Sequence, residues 1–402
     1  MKIIRNICLL TVLIALMFML CSCSTFDNFK HHFFHEAGTT EETIKFGIIE
    51  PQTGSDKNYG SEEIIGFRIA NEIVPEVLGK KIEMVYVDTQ SDMDVAESTI
   101  AGLIEREPAV VLGGYGNVVS LVASNLLGEA KIPAIGTTST NPLIVDNNSC
   151  YFRVGFTGSA QGRTVADYIV GALNLDSAML IKIKGDETTT EMCGKFMNRM
   201  ESKTGNSDSV KEIIYIDPSA PDYGHYVDII AKNDVKAVFM PTGLNTAEEI
   251  FREANDHAKN VTFIGPNSWQ SEDLISIAMK YPNIHVAVVS DVINSTENLE
   301  ESNADTTYLH EKLAEKYGEL TSADATIPNG TALAFDAYMV AIKAIETAGS
   351  TEPADIIKQL KEIKNFPGAS GKITFNENGE ASKPINVDIV EEGKFITVYT
   401  SK

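Results

Sequence analysis

Two loops of the sequence combine flexible, small and hydrogen-bonding residues at places that suit ligand binding. Gly113-Gly114-Tyr115-Gly116-Asn117 follows the apolar run Ala109–Leu112, and Thr137-Thr138-Ser139-Thr140 follows the apolar run Ile132–Ile135. Glycines allow close approach of the backbone, and the free N–H groups of a helix N-terminus favour electron-rich partners. These loops therefore predict hydrogen bonding to a small polar ligand. The alternatives are a glycine turn with Asn117 as a helix cap, and a solvated hydroxyl-rich loop.

No motif of a familiar enzyme class accompanies the two loops. Gly114-Tyr115-Gly116 lacks the third glycine of a dinucleotide fingerprint, and no acidic residue ends the next predicted strand to hold a ribose. The sequence also lacks a P-loop and a Gly-x-Ser-x-Gly elbow, and its seven histidines form no recognisable catalytic set. We therefore expect a binding protein with no catalytic residues, cofactor or metal.

Predicted strands and helices alternate from Ile44 onward. In the first helix Ile65, Ile69 and Ile73 recur at the i, i+4 spacing of a face packed on a sheet. The predicted strands are Ile44–Ile49, Ile82–Val87, Ala109–Leu112 and Ile132–Ile135, then, after Arg153, Ala178–Ile183, Glu212–Tyr215, Ala237–Met240 and Thr262–Ile264. This alternation predicts an α/β fold of two doubly wound parallel-sheet lobes in tandem.

The C-terminal part of the sequence breaks this alternation. Three closely spaced helices are predicted at Thr306–Tyr317, Thr331–Ala348 and Pro353–Ile363. Strand-like runs follow, and the turn Asn376-Glu377-Asn378-Gly379 is typical of a hairpin. These elements must complete lobes that were begun earlier in the chain. The chain is thus expected to cross between the lobes several times, as in a hinged clamshell.

The N-terminus has the layout of a bacterial secretory signal. Lys2 and Arg5 precede the apolar run Ile7–Leu20, and no acidic residue occurs before Asp27. Leu20-Cys21-Ser22-Cys23 resembles a lipobox, so residues 1–22 are predicted to be a signal peptide and Cys23 to be the lipidated mature N-terminus. Residues 23–43 are interpreted as a tether. The tract His31-His32-Phe33-Phe34-His35 within it has metal binding as an alternative.

Charge and cysteine content narrow the possible partners. The chain has 33 basic and 56 acidic residues, a formal charge of −23. Removal of Lys2 and Arg5 with the signal leaves 31 against 56, or −25. Nucleic acids reward clustered Lys and Arg, so no nucleic-acid partner is expected. Only Cys150 and Cys193 remain in the body, too few for a disulfide framework.

Several short motifs occur in the order and spacing of one known family. The sequence resembles the leucine/isoleucine/valine-type periplasmic binding proteins, which are substrate-binding proteins of ABC transporters with the type I fold. The resemblance spans nearly all of Ile44–Lys402. It rests on Ile44–Ile49, Pro51-Gln52-Thr53-Gly54, Tyr59-Gly60, Asp88–Asp92, Ile132–Ile135, Thr137–Pro142, Phe152-Arg153, Ala160-Gln161-Gly162, Gly265–Trp269, Phe335–Tyr338 and Gly371–Asn376.

This resemblance implies two lobes joined by three crossovers. We place the crossovers near Thr157–Ala160, Val289–Asp291 and Phe366–Gly371. The first lobe is then expected to comprise residues 44–157 and 291–367. The second lobe is expected to comprise residues 158–290 and 368–402.

The resemblance also implies first-lobe ligand contacts. By position, Asn117 matches the serine that holds the ligand carboxylate in the family. Thr138 and Thr140 match the positions that offer a backbone group and a hydroxyl to the amino-acid headgroup. Tyr59 matches the aromatic residue that closes over the ligand, with a half-buried packing tyrosine as the alternative. Tyr115 and Trp269 are candidates for an apolar or stacking wall, or for packing.

The second lobe departs from the family pattern. Thr188 stands near the position of a tyrosine, and Asn267 stands where the family carries an acid for the ligand ammonium. A buried ammonium without a carboxylate costs several kcal/mol. An ordinary α-amino acid is therefore in doubt unless Glu187, Asp186 or Asp291 supplies the charge. The prediction is a small polar ligand whose acceptor group is held by the first lobe.

The function implied is that of an extracytoplasmic lipoprotein, anchored to a bacterial membrane through its lipid, that delivers a small polar solute to ABC permease subunits. An amino acid, an amide or a related compound would suit the predicted site. The alternative is a ligand-sensing lipoprotein of the same fold that acts on a receptor or surface partner.

Overall fold

The computed structural model describes residues 43–146, 148–219, 221–257, 260–292, 304–322 and 326–401. The predicted signal peptide, Cys23 and nearly all of the tether lie outside the described residues. The first sheet has six strands in the order β2-β3-β1-β4-β5-β6, and all its neighbours are parallel except β2 and β3. These strands are β1 (Ile44–Glu50), β2 (Glu76–Val77), β3 (Lys80–Asp88), β4 (Val110–Gly113), β5 (Ala134–Gly136) and β6 (Tyr151–Arg153).

Helices cover both faces of this sheet, which explains the continuous apolar runs of its central strands. The helices between its strands are α1 (Lys57–Ile73), α2 (Met93–Ile104) and α3 (Asn117–Ala130). Phe46 and Ile48 face a cluster that includes Phe67 of α1, whereas Ile49 and Val111 face a cluster that includes Leu103 of α2. The strand ends that lead into α1 and α3 thus lie on a rigid two-sided core.

The second sheet has seven strands in the order β16-β15-β11-β10-β9-β7-β8. Its five consecutive strands from β7 to β11 are parallel, and β15 and β16 add an antiparallel edge. The strands are β7 (Ala178–Ile183), β8 (Val210–Ile216), β9 (Ala237–Phe239), β10 (Thr262–Gly265), β11 (His285–Ser290), β15 (Asn386–Glu391) and β16 (Lys394–Thr400). Together with the first sheet, this arrangement confirms the predicted α/β fold of two parallel-sheet lobes.

Five helices surround the second sheet. They are α4 (Gly158–Gly171), α5 (Thr190–Thr204), α6 (Tyr223–Asn233), α7 (Leu244–His257) and α8 (Glu272–Lys280). α4 and α5 pack on one face through Phe196 and Val165, while α6 and α7 pack on the other through Phe251 and Ile230. We refer to this sheet and these five helices as the second lobe.

Three further helices return to the first sheet. They are α9 (Ala304–Leu320), α10 (Asn329–Ala348) and α11 (Pro353–Lys361). α10 packs closely on α1, where a Cβ atom on Gly66 would lie 2.1 Å from the carbonyl oxygen of Thr331. Only glycine permits this approach. Among the described residues, we find no helix with the length and apolarity required to cross a membrane.

The third sheet changes the predicted lobe boundary. Its strands β12 (Phe366–Gly368), β13 (Gly371–Phe375) and β14 (Ala381–Ser382) are antiparallel, and the predicted turn before Gly379 joins the last two. Ile373 and Phe375 pack into the core of the first sheet, not the second. Residues 368–382 therefore belong with the first lobe, and the prediction that placed them in the second lobe is wrong.

Within the described residues, the chain crosses between the two lobes three times. The first crossing lies between β6 and α4, and the second follows β11, since Val292 already packs in the first lobe. The third lies between β14 and β15, about fifteen residues later than Phe366–Gly371. The difference arises because the Asn-Gly hairpin buries its apolar face on the first lobe before the chain leaves it.

Candidate functional site

A cavity of about 290 Å³ lies between the two lobes. Its volume is close to the lower end of the ~300–1,000 Å³ typical of small-molecule sites. Both sheets present their strand ends and helix N-termini to it, which is where open α/β sheets bind ligands. The residues that contribute to its lining are Tyr59, Glu62, Glu63, Tyr115, Gly116, Asn117, Thr138, Ser139, Thr140, Gln161, Ile183, Asp186, Thr188, Thr189, Met192, Pro241, Thr242, Gly243, Pro266, Asn267, Ser268, Gln270, Asn329 and Gly330.

Most of the predicted site residues meet at this cavity. The seven that line it are Tyr59, Tyr115, Asn117, Thr138, Thr140, Thr188 and Asn267. Two others, Glu187 and Trp269, do not. Glu187 is exposed, and its carboxylate accepts a hydrogen bond from Thr190 Oγ1 at 3.2 Å.

Trp269 is a packing residue beneath the cavity. Its side chain is fully buried, and its Nε1 donates to the carbonyl of Thr242 at 2.6 Å. A Cβ atom on Gly265 would lie 1.9 Å from the indole, so the ring packs directly on that glycine. Trp269 thereby fixes the loop of Thr242, which does line the cavity. It supports the site without forming the predicted wall.

Asn117 joins the two first-lobe loops to each other. Its Oδ1 accepts hydrogen bonds from the backbone N–H groups of Thr140 (2.9 Å) and Asn141 (3.0 Å). Asn117 is the first residue of α3, and the cap position before it is Gly116, with φ +90°. The expected N-cap role therefore falls to a glycine, and the Asn117 side chain holds the second loop in place.

Arg153 holds the same loop from below. Its guanidinium is fully buried and donates to the carbonyl groups of Ser139 (3.2 Å) and Asn141 (2.8 Å). It also forms an ion pair with Glu380 at 2.8 Å. A buried, hydrogen-bonded guanidinium is a rigid brace. The β13–β14 hairpin is thus coupled to the cavity wall.

A buried carboxyl pair lies behind the first-lobe wall. Glu50 and Glu63 are both fully buried, and Thr138 Oγ1 donates to Glu63 Oε1 at 2.5 Å, with Thr137 Oγ1 donating to the other oxygen. Burial raises the pKa of Glu50 well above its usual range, and the nearby charge of Glu63 raises it further. Burial also raises the pKa of Glu63, but the two threonine hydroxyls favour its charged form. The arrangement therefore suits a protonated Glu50 beside an ionised Glu63.

Glycines in the first loop make room for this pair. Gly113 and Gly114 have φ angles of +97° and +101°, and a Cβ atom on Gly113 would lie 2.1 Å from Glu50 Oε1. Gly114 N donates to Glu50 Oε1 at 3.1 Å. These two glycines therefore accommodate Glu50, whereas the sequence predicted close approach to a ligand.

Two tyrosines and a third carboxyl complete the first-lobe wall. The rings of Tyr59 and Tyr115 are stacked, with centroids 4.9 Å apart and planes 4° from parallel. Glu62 stands one turn beyond Tyr59 on α1, and burial followed by the nearby Glu63 and Asp273 raises its pKa to about 8. Burial likewise raises the pKa of Tyr115 well above its usual range. These residues make one wall aromatic and acidic.

Thr188, Asp186 and Asn267 of the second-lobe wall are hydrogen-bonded to neighbouring protein groups. Thr188 donates to Asp186 Oδ1 through both its backbone N–H (2.8 Å) and its hydroxyl (2.5 Å), and Thr189 Oγ1 donates to the other oxygen. Asn267 exchanges two hydrogen bonds with the Gln161 amide, each 3.0 Å long. Its Nδ2 also donates to Asp291 Oδ2 at 3.2 Å. Asp291 thus contacts Asn267 and does not line the cavity.

Glu62 and Glu63 line the cavity but were not predicted from the sequence. Glu63 lies on the buried stripe of α1 with Gly66, Phe67 and Ala70, whereas Ile65 and Ile73 are only partly buried. The sequence signal was a glutamate three and four residues before helix positions that are buried, which places its carboxyl on the buried face of α1. Among the described residues, no group of three His, Cys, Asp or Glu side chains is arranged to hold a metal ion.

Comparisons with known proteins agree with this architecture. Residues 43–394 match the sequence profile of a family described as periplasmic binding protein. The Leu/Ile/Val-binding protein BraC3 of Rhizobium johnstonii is 22% identical over 362 residues, which cover 88% of this chain and 93% of that protein. A Leu/Ile/Val-binding protein homologue of Brucella melitensis is 23% identical over 353 residues, covering 86% and 90% of the two chains.

Solved structures share the fold. The leucine binding protein LivK of Thermotoga maritima has a TM-score of 0.77 at 24% identity, over 89% of this chain and 98% of that one. LivJ of Streptococcus pneumoniae in complex with isoleucine has a TM-score of 0.75 at 19% identity, over 90% and 99%. A solute binding protein of Rhodopseudomonas palustris in complex with 3,4-dihydroxybenzoic acid has a TM-score of 0.73 at 17% identity, over 90% and 97%. The predicted resemblance is confirmed, and the chain belongs to the periplasmic binding protein family.

Proposed function

We propose that this chain is an extracytoplasmic solute-binding lipoprotein that captures a small polar solute and delivers it to an ABC permease. The observation that carries the proposal is the cavity itself, whose wall is built from both lobes. A ligand held there must touch both lobes at once. Binding can therefore favour a closed arrangement that a partner recognises.

The cavity is small, polar and acidic, which limits the solute. Its lining combines hydroxyl, amide and carboxyl side chains with apolar surface from the rings of Tyr59 and Tyr115 and from Ile183, Met192, Pro241 and Pro266. A purely apolar solute would leave Gln270 Nε2 and Ser139 Oγ, which have no partner among the described residues, unpaired at a cost of about 1–3 kcal/mol for each buried group. An amino acid, an amide or a related polar compound fits this wall better.

Attachment to the membrane is proposed to occur through Cys23. The proposal is supported by the basic n-region, the apolar run Ile7–Leu20 and Leu20-Cys21-Ser22-Cys23. One lipidated terminus would keep the binding body near a permease without a spanning helix.

Two measurements test the proposed function. The full-length chain in detergent is titrated by calorimetry with amino acids, amides and small amines, and uptake of any bound solute is compared in cells with and without the gene. Saturable binding together with gene-dependent uptake supports delivery. Binding without a change in uptake would favour the sensing alternative, and no binding by any solute would contradict both functions.

A matched pair of variants ties binding to this cavity. Thr140→Val removes a hydroxyl from the cavity wall, whereas Thr99→Val removes one that bonds to the carbonyl of Val95 on α2. We expect Thr140→Val to weaken binding about ten- to a hundredfold if that hydroxyl meets the solute. Thr99→Val should leave affinity unchanged.

A further inference from the structure

Most of the first-lobe donors assigned to an electron-rich ligand group are already occupied by the protein, with the Thr140 hydroxyl as the exception. The Thr138 hydroxyl donates to Glu63, and the backbone N–H groups of Thr140 and Asn141 donate to Asn117 Oδ1. A ligand carboxylate at this wall would have to displace these bonds. It would also approach the buried carboxyl of Glu63. The geometry therefore argues against an anionic headgroup at the first lobe.

The groups left facing the cavity are acidic and aromatic. The Glu62 carboxyl lines the cavity and has no hydrogen-bond or ion-pair partner within the part of the chain that the structure describes. The stacked rings of Tyr59 and Tyr115 line it as well. Tyrosine rings attract cations through the negative face of their π-systems. An acid next to aromatic rings is a favourable environment for an ammonium or guanidinium group.

Two further side chains in the lining lack a partner. Gln270 and Ser139 are each 3% exposed. Gln270 Nε2 and Ser139 Oγ make no hydrogen bond among the described residues. A buried polar atom without a partner is costly and calls for a ligand or ordered water. Gln270 Nε2 is a donor, so it suits an oxygen acceptor elsewhere on the same solute.

No Lys, Arg or His side chain contributes to the lining among the described residues. Three of its residues are acidic: Glu62, Glu63 and Asp186. The Asp186 carboxylate accepts three hydrogen bonds from its own loop. The protein as a whole carries −23, which raises the local concentration of cations and repels anions.

We infer that the solute of this cavity is a cation that places an ammonium or guanidinium group against Glu62 and the Tyr59–Tyr115 pair, with an oxygen acceptor toward Gln270. This inference rests on the proposed solute-binding function and names its substrate class. It replaces the expectation from the sequence that the first lobe holds an acceptor group. Glu62 would then pair with the ligand cation in place of the second-lobe acid of the family, whose position is occupied by Asn267 in this chain.

Binding is then coupled to loss of a proton from Glu62. The pKa of this carboxyl is raised to about 8 by burial and by Glu63 and Asp273, so it is mostly protonated at neutral pH while the cavity is empty. The other ionisable groups near it are Tyr59, Tyr115 and Tyr317. None of these neighbours carries a positive charge. An arriving cation would stabilise the carboxylate and release the proton to solvent.

The test uses compounds that share one carbon skeleton and differ in charge. Full-length protein is titrated by calorimetry at pH 7, where the α-amino group of leucinamide is mostly protonated, with leucinamide, leucine, 4-methylpentanamide and 4-methylpentanoate. A second set, built on four carbons, is putrescine, 4-aminobutanoate and succinate. In each set that binds, the cation should bind at least tenfold more tightly than the zwitterion, and the anion should not bind. Tighter binding of a zwitterion or an anion would overturn the inference.

Variants locate the charge. Glu62→Gln should weaken cation binding at least tenfold and abolish the proton release seen when titrations are repeated in buffers of different ionisation enthalpy. Glu97→Gln removes an exposed carboxyl from α2 and is the matched control. If Glu62→Gln does not fold, the charge series on the unmodified protein still decides.

The two claims fail in different ways. If neither set binds, the charge of the solute found in the broader calorimetric screen decides whether the solute is a cation. A neutral or anionic solute would overturn the inference about the cation but would leave the proposed solute-binding function standing. Failure of every solute to bind would contradict the proposed function itself.

Discussion

Lys383 Nζ lies 2.8 Å from Asp291 Oδ1, and both side chains are fully buried. The two residues stand on the second and third crossings between the lobes. The two groups form an ion pair, but the geometry at Asp291 Oδ1 is not that of a hydrogen bond. The other carboxylate oxygen, Oδ2, accepts a hydrogen bond from Asn267 Nδ2. Lys383 Nζ also donates to Ser370 Oγ at 2.8 Å, and that hydroxyl donates to the buried Asp336. A continuous polar path thus joins the first-lobe core, the crossings and the cavity.

The first prediction concerns this ion pair. Lys383→Met leaves the Asp291 charge buried without its partner, so the free energy of unfolding should fall by about 3–5 kcal/mol. Lys383→Met combined with Asp291→Asn should recover much of the loss. Urea unfolding of both variants measures the difference, and equal stability of the two would show that the buried charge is not the cause.

The second prediction concerns pH. Burial raises the folded-state pKa of Glu62 to about 8 and also raises that of Glu50, whereas both groups titrate near 4.5 when exposed. The folded state therefore binds more protons than the unfolded state between these pKa values. The stabilisation that these two groups contribute should be complete below pH 4.5. It should decline as pH rises toward 8, by up to about 1.4 kcal/mol per group and pH unit. Thermal unfolding of the empty protein at pH 5.5 and 8.5 measures this loss.

Glu62→Gln supplies the comparison for that experiment. The amide does not titrate, so the variant should lose less stability between pH 5.5 and 8.5 than the unmodified protein. Glu97→Gln makes the same chemical substitution at an exposed carboxyl and should retain the full loss. An identical pH response in all three proteins would show that titration of Glu62 does not cause the loss of stability.

The third prediction concerns the link between the two first-lobe loops. Asn117→Ala leaves the N–H groups of Thr140 and Asn141 without their acceptor and should lower stability by about 1–3 kcal/mol. Asn117→Asp keeps an acceptor oxygen in the same place and should lose much less. Chemical unfolding of the pair checks this expectation. A loss of similar size in both would show that the acceptor is not what matters.

The fold was predictable because its signals are local. Buried parallel strands read as apolar runs, and the Asn378-Gly379 turn indicated the β13–β14 hairpin. The lobe to which that hairpin belongs was not predictable, because it depends on where Ile373 and Phe375 find a partner core. The three-residue strand β6 was missed, since so short a run has no periodicity to recognise.

The position of the cavity was predictable from the sequence, whereas the hydrogen bonding of its walls was not. Loops after β4 and β5 indicated where a ligand would lie, because strand ends meet at one edge of a sheet. The sequence did not indicate that Asn117 and Thr138 spend their hydrogen bonds on the protein. For Thr138 that outcome depends on Glu63, which reaches the second loop from α1. Trp269 was a candidate for the ligand wall because the local sequence does not distinguish a tryptophan that lines a cavity from one that is buried beneath it.

The fourth prediction concerns the anchor. Cys23→Ser should abolish incorporation of labelled fatty acid and release the protein from the membrane or block its processing, because only the thiol at that position can be diacylated. Cys21→Ser, two residues earlier in the same segment, should retain the label. Metabolic labelling followed by membrane fractionation checks both variants. Lipid incorporation in Cys23→Ser would contradict the proposed anchor.

The most direct test of a solute-binding clamshell is the shape of the protein with and without its solute. Small-angle scattering of the full-length chain in matched detergent is measured before and after saturation with the tightest ligand found by calorimetry. Closure of two lobes about three crossings predicts a smaller radius of gyration when the solute is bound. Glu62→Gln, at a ligand concentration that saturates only the unmodified protein, should remain at the larger value. An unchanged radius at proven saturation would contradict the clamshell.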